Sequence, residues 1–184
     1  MKRHSFVHNI KHAVCVSIAV CMAVYLSTIS AAASTTSGSK WGSPTQKISA
    51  SAISGTFETA MGNAVFEINQ QTDVNFSWTD STSPSWKAYA ADYGATGWEG
   101  QSQWNVVLGS TRSASSKLNT RYLSTGMPFD RLKVVWLHEL CHVWGLGHVS
   151  GINHVMYQSA SDAYLRGGVR TLTSDEKNGI NNLY

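Results

Sequence analysis

The spacing of apolar residues predicts three helices. In the first, over residues 50–70, apolar residues recur every three or four positions and therefore share one face. These residues are Ile53, Phe57, Met61, Val65 and Ile68. The second helix begins near Asp130 as its N-cap, is apolar around most of its circumference as a buried helix is, and ends at Gly145. The third runs from about Thr173 to Leu183 and starts with hydroxyl side chains that can cap it.

Short apolar or alternating stretches between the first two helices predict a small sheet. Residues 74–78 alternate apolar and polar side chains, as a half-buried strand does. Further short strands are predicted at residues 87–89, 97–104, 106–108 and 118–123. The Ser-rich stretch 110–116 is predicted to be a loop, and residues 34–46 to be loosely ordered. The predicted fold is a mixed α/β domain, with a small twisted sheet packed on two main helices plus a C-terminal helix.

The first 33 residues have the pattern of a targeting segment. A positively charged start is followed by an apolar run over residues 13–29 and by small residues at 30–34. This order predicts a secretory signal peptide that is cleaved after about Ala33. A retained membrane anchor is the alternative, but the run is short for a membrane span and contains serines. The mature domain would then be residues 34–184, extracellular and without stable membrane association.

Charge and cysteine content limit the partners of this mature domain. The chain has 14 basic and 11 acidic residues, and Lys2, Arg3 and Lys11 belong to the signal peptide. The remainder is therefore close to neutral, which gives no indication of nucleic-acid binding. Cys141 is the single cysteine after residue 33, so an intramolecular disulfide is not possible. We interpret it as a small buried helix residue rather than a reactive thiol, and we expect the domain to be a monomer.

The candidate chemistry lies in the segment from His138 to His148, which has the sequence HELCHVWGLGH. His138 and His142 are four residues apart and therefore lie on one face of the predicted helix. Gly145 ends the helix and allows the chain to turn, so that His148 can approach the same point from another direction. Three imidazoles suit one zinc ion and leave a position for water.

Glu139 is the candidate catalytic base. It lies about 100° around the helix from His138, beside the predicted metal without being a ligand. Zinc makes bound water acidic, and Glu139 would accept the proton and pass it to the leaving nitrogen of a cleaved peptide bond. A structural zinc site is the alternative. It would need a fourth protein ligand, and the only candidate, Cys141, has a side chain too short to reach the ion.

With these residues in view, the sequence resembles the metzincins. The segment His138–His148 fits their pattern HExxHxxGxxH, and Met156 and Tyr157 resemble the methionine turn that follows it. Within the metzincins, the chain is most similar to the matrixins. Residues 172–184, LTSDEKNGINNLY, are similar to the closing helix of matrixin catalytic domains. The specific resemblance covers residues 134–184.

The resemblance implies a zincin fold and a zinc endopeptidase with one catalytic Zn²⁺ that acts on proteins or peptides. Met156 would form the apolar floor under the imidazoles without binding zinc, and Tyr157 would line or support the site. His154 either faces the substrate cleft or is a surface loop histidine. Trp98 and Trp104 flank a segment that either forms the cleft rim, where an extended substrate would pair, or supplies core aromatics.

Several positions depart from the matrixin pattern. Gln158 replaces the proline that follows Met-Tyr, which leaves the preference of the adjoining pocket open. Residues 79–119 contain no histidine and few acidic residues, so a second zinc site is not predicted, and the sequence leaves calcium open. We expect no inhibitory propeptide with a cysteine between the signal peptide and the domain.

Two other functions stay open at this level. One is a secreted zinc-binding protein without catalysis, which the presence of Glu139 argues against. The other is a zinc hydrolase of non-protein amides, which the third histidine and the methionine turn disfavour.

Overall fold

Six strands and four helices make up the computed structural model, which describes residues 35–184. The strands are β1 (Lys40–Trp41), β2 (Thr45–Ala52), β3 (Asn75–Trp78), β4 (Trp86–Ala91), β5 (Gly100–Val107) and β6 (Ser110–Asn119). The helices are α1 (Gly55–Gln71), α2 (Phe129–Val143), α3 (Ala160–Leu165) and α4 (Ser174–Asn181). The predicted signal peptide lies outside the described residues. Within them, no helix has both the length and the apolar content needed to cross a membrane.

The sheet is mostly parallel and has one antiparallel edge. Strands β3, β2, β4 and β6 pair in parallel in that order, and the short β1 pairs with the first residues of β6. β5 runs antiparallel along β6 and pairs with no other described strand. Parallel neighbours need a crossover, and α1 provides it between β2 and β3. The outer edge of β5 is therefore left open beside the helices.

The core lies between the sheet and the two long helices, which pack against each other. Its centre is aromatic, because the rings of Trp86 and Trp144 both contact Phe76, with centroid separations of 4.6 and 5.0 Å. On α2 every residue from Val134 to Cys141 is buried. The helix that carries two histidines and a glutamate is therefore fixed on all sides, which confirms the prediction of a buried helix.

The predicted loop at residues 110–116 is wrong, because these residues form most of β6. Serine composition suggested a loop, but in the sheet the hydroxyls have partners. Ser116 is fully buried, accepts a hydrogen bond from the indole of Trp86 at 3.1 Å, and bonds Ser102 at 2.9 Å. The two strands predicted at 97–104 and 106–108 are one strand, β5, followed by a hairpin turn. Leu108 and Gly109 make that turn, with φ values of 50° and 77°.

The amino-terminal part is more ordered than predicted. Strand β1 and the first two residues of β2 occupy residues expected to be loose. The last three residues of β2 were predicted to be helical, and the first helix begins at Gly55 rather than residue 50. In β2 only Ile48 is a large buried side chain, so the apolar signal of a strand is weak. The helix α3 was not predicted because six residues are too few to show a period. In α2, Asp130 lies in the first turn and Pro128 is the N-cap residue.

The end of the chain agrees with the prediction. Thr173 caps α4 in a capping box with Glu176. The Thr173 hydroxyl accepts the backbone N–H of Asp175, and the Glu176 carboxylate accepts the backbone N–H of Thr173. The mixed α/β fold, with a sheet on two main helices and a C-terminal helix, is confirmed.

Glu67 ties three segments of the fold together. It is 8% exposed on α1, and its carboxylate accepts hydrogen bonds from Lys133 on α2 at 2.9 Å and from the backbone of Leu172 at 2.6 Å. It also binds the hydroxyl of Thr171. A buried carboxylate with a paired charge and two further donors is satisfied on both oxygens.

We predict that Glu67→Ala lowers the free energy of unfolding by about 3 kcal/mol, because it leaves the Lys133 ammonium unpaired in a mostly buried position. Urea unfolding followed by tryptophan fluorescence measures this. Glu58→Ala is the matched control, since Glu58 is exposed on the same helix, and we expect a much smaller loss. Equal losses for the two variants would contradict the role given to Glu67.

Candidate metal centre and active site

Helix α2 and the turn after it bring three histidines to one point. His138 is 4% exposed, His142 is partly exposed one turn later, and His148 is exposed. The chain turns at Gly145, whose φ is +112°. A Cβ there would lie 2.9 Å from both the Leu183 side chain and the Ser39 carbonyl oxygen, so only glycine fits this turn. The predicted end of the helix is therefore correct.

The three imidazoles present their Nε2 atoms to a common centre. The Nε2 separations are 3.0 Å for His138 and His142, 3.1 Å for His142 and His148, and 3.2 Å for His138 and His148. The Nδ1–H of His138 donates to the Val155 carbonyl at 2.8 Å, and that of His142 to the Leu146 carbonyl at 2.9 Å. A carbonyl can only accept, so in both rings the lone pair is on Nε2.

Converging lone pairs repel one another unless a cation lies between them, and the donor set fits zinc. Burial, together with the neighbouring imidazoles, lowers the pKa of His138 from 6.5 to about 3. Burial likewise lowers the pKa of His142 from 6.5 to about 4. These rings are therefore neutral at pH 7, which is the form that binds a metal. The carbonyl contacts to Nδ1 are the kind that fix the orientation of metal-binding imidazoles.

Glu139 lies next to this centre with its carboxylate buried. The side chain is 4% exposed, and within the described residues its Oε2 atom has no hydrogen-bond partner. Burial raises the pKa of Glu139 from 4.5 to about 8. A bound cation nearby would favour the carboxylate and lower that pKa. A buried carboxylate with one oxygen free of partners, in the same cleft as three converging imidazoles, fits a site for a cation and a water molecule.

Gly100 on β5 makes room for this carboxylate. A Cβ at that position would lie 2.4 Å from Oε1 of Glu139 and 2.8 Å from its Cγ. The neighbouring Ser102 donates its hydroxyl to the Glu139 carbonyl at 2.8 Å. The edge strand therefore approaches α2 closely over the candidate base. The sequence placed both residues in the candidate rim segment between Trp98 and Trp104, but it gave no sign of their contacts with Glu139, because these depend on the pairing of β5 with the rest of the sheet.

A cleft of about 750 Å³ opens along this edge strand. The floor is α2, with the three histidines and Glu139. One wall is formed by β5, which contains Trp104, and by the residues before it, which include Trp98. The other wall is the segment from Gln158 to α3. The structure thus brings Trp98 and Trp104 to the cleft, together with the candidate metal centre.

The other predicted cleft residues lie elsewhere. His154 packs against the start of α4, where its Nδ1 lies 3.2 Å from the Thr173 hydroxyl and 3.4 Å from an Asp175 carboxylate oxygen. Neither His154 nor Tyr157 lines the cleft, but the backbone of Tyr157 pairs with that of Val149, next to His148, so support of the site stays a prediction for Tyr157. Met156 is 1% exposed and directly follows Val155, whose carbonyl holds the ring of His138.

Arg131 was missed from the sequence and joins the two walls of the cleft. From α2, its guanidinium donates to Glu99 before β5 at 2.6 Å and to Ser161 on α3 at 2.9 Å. All three residues line the cleft. The one available signal was an arginine within an otherwise largely apolar helix, and that position alone indicates no partner.

The fold and the site together identify the class of enzyme to which this domain belongs. A buried helix with HExxH, a third histidine after a glycine turn, and an open edge strand above them are the features of a zinc-dependent peptidase domain of the metzincin type. A family model for Matrixin, peptidase family M10, matches residues 65–184. The chain belongs to the matrixin family and is a zinc metalloendopeptidase. A comparison with curated proteins found no match.

We predict that Gly100→Ala lowers kcat by about 100-fold, because the new methyl group displaces the Glu139 carboxylate and small misplacements of a catalytic group have large effects. Hydrolysis of a protein substrate at saturating zinc measures this.

Gly42→Ala is the matched control, since a Cβ at Gly42 meets nothing within 4 Å and no unusual φ is required there. It should retain the wild-type rate. A Gly100→Ala enzyme with wild-type kcat would show that the carboxylate can move without loss.

Proposed function

We propose that the protein is a secreted, monomeric endopeptidase that cleaves internal bonds of extended polypeptide segments. In this proposal His138, His142 and His148 hold one zinc ion and Glu139 is the general base. The observation that carries the proposal is the buried Glu139 carboxylate, whose Oε2 atom has no partner, in the same cleft as three converging Nε2 atoms.

Zinc bound by the three imidazoles supplies a Lewis acid that polarises the peptide carbonyl and makes water more acidic. Glu139 accepts a proton from the attacking water molecule while the water oxygen forms a bond to the carbonyl carbon. Burial, which raises the pKa of Glu139, favours the protonated acid that results, whereas the nearby cation favours the carboxylate that starts the step. Glu139 then donates this proton to the amide nitrogen as the carbon–nitrogen bond breaks, which leaves a carboxyl and an amino terminus.

The edge strand provides the means to hold a substrate. β5 pairs on one side with β6, and its residues Gly100 to Ser102 line the cleft directly above Glu139. An extended polypeptide that adds to this edge is bound through its backbone, whatever its side chains. The Arg131 bridge between the walls keeps the width of the cleft fixed. This mode of binding favours unfolded or flexible segments, because a folded chain has few free backbone groups to offer.

Export is the second part of the proposal. It rests on the charged, apolar and small-residue order of residues 1–33. We expect the full chain, expressed in a secreting host, to reach the medium with an N-terminus near Ser34. Amino-terminal sequencing of the secreted protein measures this. Retention of residues 1–33 in the membrane fraction would favour an anchor.

We predict that Glu139→Gln lowers casein hydrolysis by about 100-fold or more while the protein still binds one zinc ion, because the amide keeps the size of the side chain but cannot accept the proton. Zinc content and hydrolysis should be measured on the same samples. A chelator should abolish wild-type activity, and added zinc should restore it.

Glu58→Gln, on the exposed surface of α1, is the control and should cut casein as the wild type does. If the wild type holds zinc and does not cut casein or peptides, a binding protein or a hydrolase of other amides becomes the better explanation. If Glu139→Gln cuts at the wild-type rate, Glu139 is not the base.

A further inference from the structure

We propose that residues 35–37 form an N-terminal strap that positions His148 and thereby raises the affinity of the site for zinc. This inference rests on the proposed zinc site. The strap lies directly after the predicted cleavage site near Ala33, so removal of only a few further residues would destroy it.

The strap is a short antiparallel pairing with the turn that carries His148. Thr36 bridges to Leu146. The backbone N–H of Ser37 donates to the Gly145 carbonyl at 2.7 Å, and that of Gly147 donates to the Thr35 carbonyl at 2.7 Å. The Thr35 hydroxyl donates to the carbonyl of His148 itself at 2.6 Å. Each bond has normal hydrogen-bond length, and together they span the turn from its first glycine to the third histidine.

His148 depends on this pairing more than the other histidines do. The rings of His138 and His142 are each held by a carbonyl at Nδ1. Within residues 35–184, the His148 ring has no hydrogen bond other than its contacts to the two other Nε2 atoms. It is also the exposed member of the three. Its position is therefore set by its backbone rather than by a partner of its ring.

The backbone before His148 has few other supports. Gly145 and Leu146 donate to carbonyls at the end of α2, and Val149 donates to the Met156 carbonyl. Between these anchors, the strap supplies the bonds of Gly147 N–H and the His148 carbonyl. Without it, two consecutive residues of the turn lose their hydrogen bonds to protein, and the His148 side chain is no longer held near the other two.

Gly147 supports the same conclusion. A Cβ at this residue would lie 2.6 Å from the Thr35 hydroxyl oxygen and 3.3 Å from the Thr36 carbonyl oxygen. The nearest atoms all belong to the strap and none to the metal centre or the cleft. The lack of a side chain at residue 147 is thus required by the close approach of residues 35 and 36.

The test uses the full chain, expressed and processed in a secreting host, with the N-terminus of each product verified. We compare the wild type with Thr35→Ala, Gly147→Ala and the double variant. Thr59→Ala is the matched control, because Thr59 is also exposed and also donates its hydroxyl to a backbone carbonyl, at 3.1 Å in α1. The primary readout is the zinc dissociation constant, measured by competition with a chelator. Urea unfolding of the metal-free proteins is measured in parallel.

We expect Gly147→Ala to weaken zinc binding by about 10- to 100-fold, the range found when the groups that orient metal ligands are lost. Thr35→Ala should weaken it by a smaller factor, and Thr59→Ala should not change it. The double variant should lie closer to Thr35→Ala than to Gly147→Ala, because the hydroxyl that the new methyl group meets at 2.6 Å is then absent, and the two effects are therefore not additive. The free energy of unfolding of the metal-free protein should differ little between Thr35→Ala and Thr59→Ala.

If Thr35→Ala and Gly147→Ala both bind zinc with wild-type affinity, the proposed role of the strap in positioning His148 is wrong. A loss of affinity in Thr35→Ala that Thr59→Ala matches would also overturn that role, since it would reflect general destabilisation. Casein hydrolysis by the wild type is recorded separately. A wild type that binds zinc without cutting casein contradicts the proposed activity but leaves the zinc affinities, and the inference from them, intact.

Discussion

The candidate active site depends on the convergence of three imidazole Nε2 atoms at separations near 3 Å. Such an arrangement is unfavourable in the absence of a cation, so the surrounding fold must hold it in place. Two rings are fixed by carbonyls of Val155 and Leu146, and these carbonyls belong to the segments that follow α2. A buried helix, a glycine turn and a second turn are therefore needed together. Any one alone would leave at least one imidazole free to rotate away.

Both ends of the described chain contribute to this support. Near the C-terminus, the buried carboxylate of Glu176 accepts the backbone N–H of Met156 at 3.2 Å, next to the residue whose carbonyl holds His138. The Tyr184 hydroxyl accepts the N–H of Trp41 at 2.9 Å and donates to the Trp144 carbonyl at 3.2 Å. Near the N-terminus, residues 35–37 pair with the turn before His148. Residues distant in sequence thus hold the one region where the chemistry is concentrated.

The sheet shows which strands local sequence patterns fail to predict. The Ser-rich composition of β6 predicts a loop when it is read locally, because serine side chains favour turns. In the fold, the buried hydroxyl of Ser116 is satisfied by Trp86 and Ser102, residues 30 and 14 positions away. In β2 the small and polar side chains gave little apolar alternation, yet pairing on both sides fixes the strand. Local composition cannot predict partners that only the sheet brings together.

The sequence alone determined the chemistry of the candidate site. Helical spacing predicted that His138 and His142 share a face, and Gly145 predicted the turn that brings His148 to them, since both follow from short-range backbone geometry. The tertiary structure alone decided what surrounds them. The space that Gly100 leaves for Glu139, the Arg131 bridge and the strap to His148 join residues separated by at least 30 positions. Such contacts arise from the packing of whole elements, which no local pattern of residues specifies.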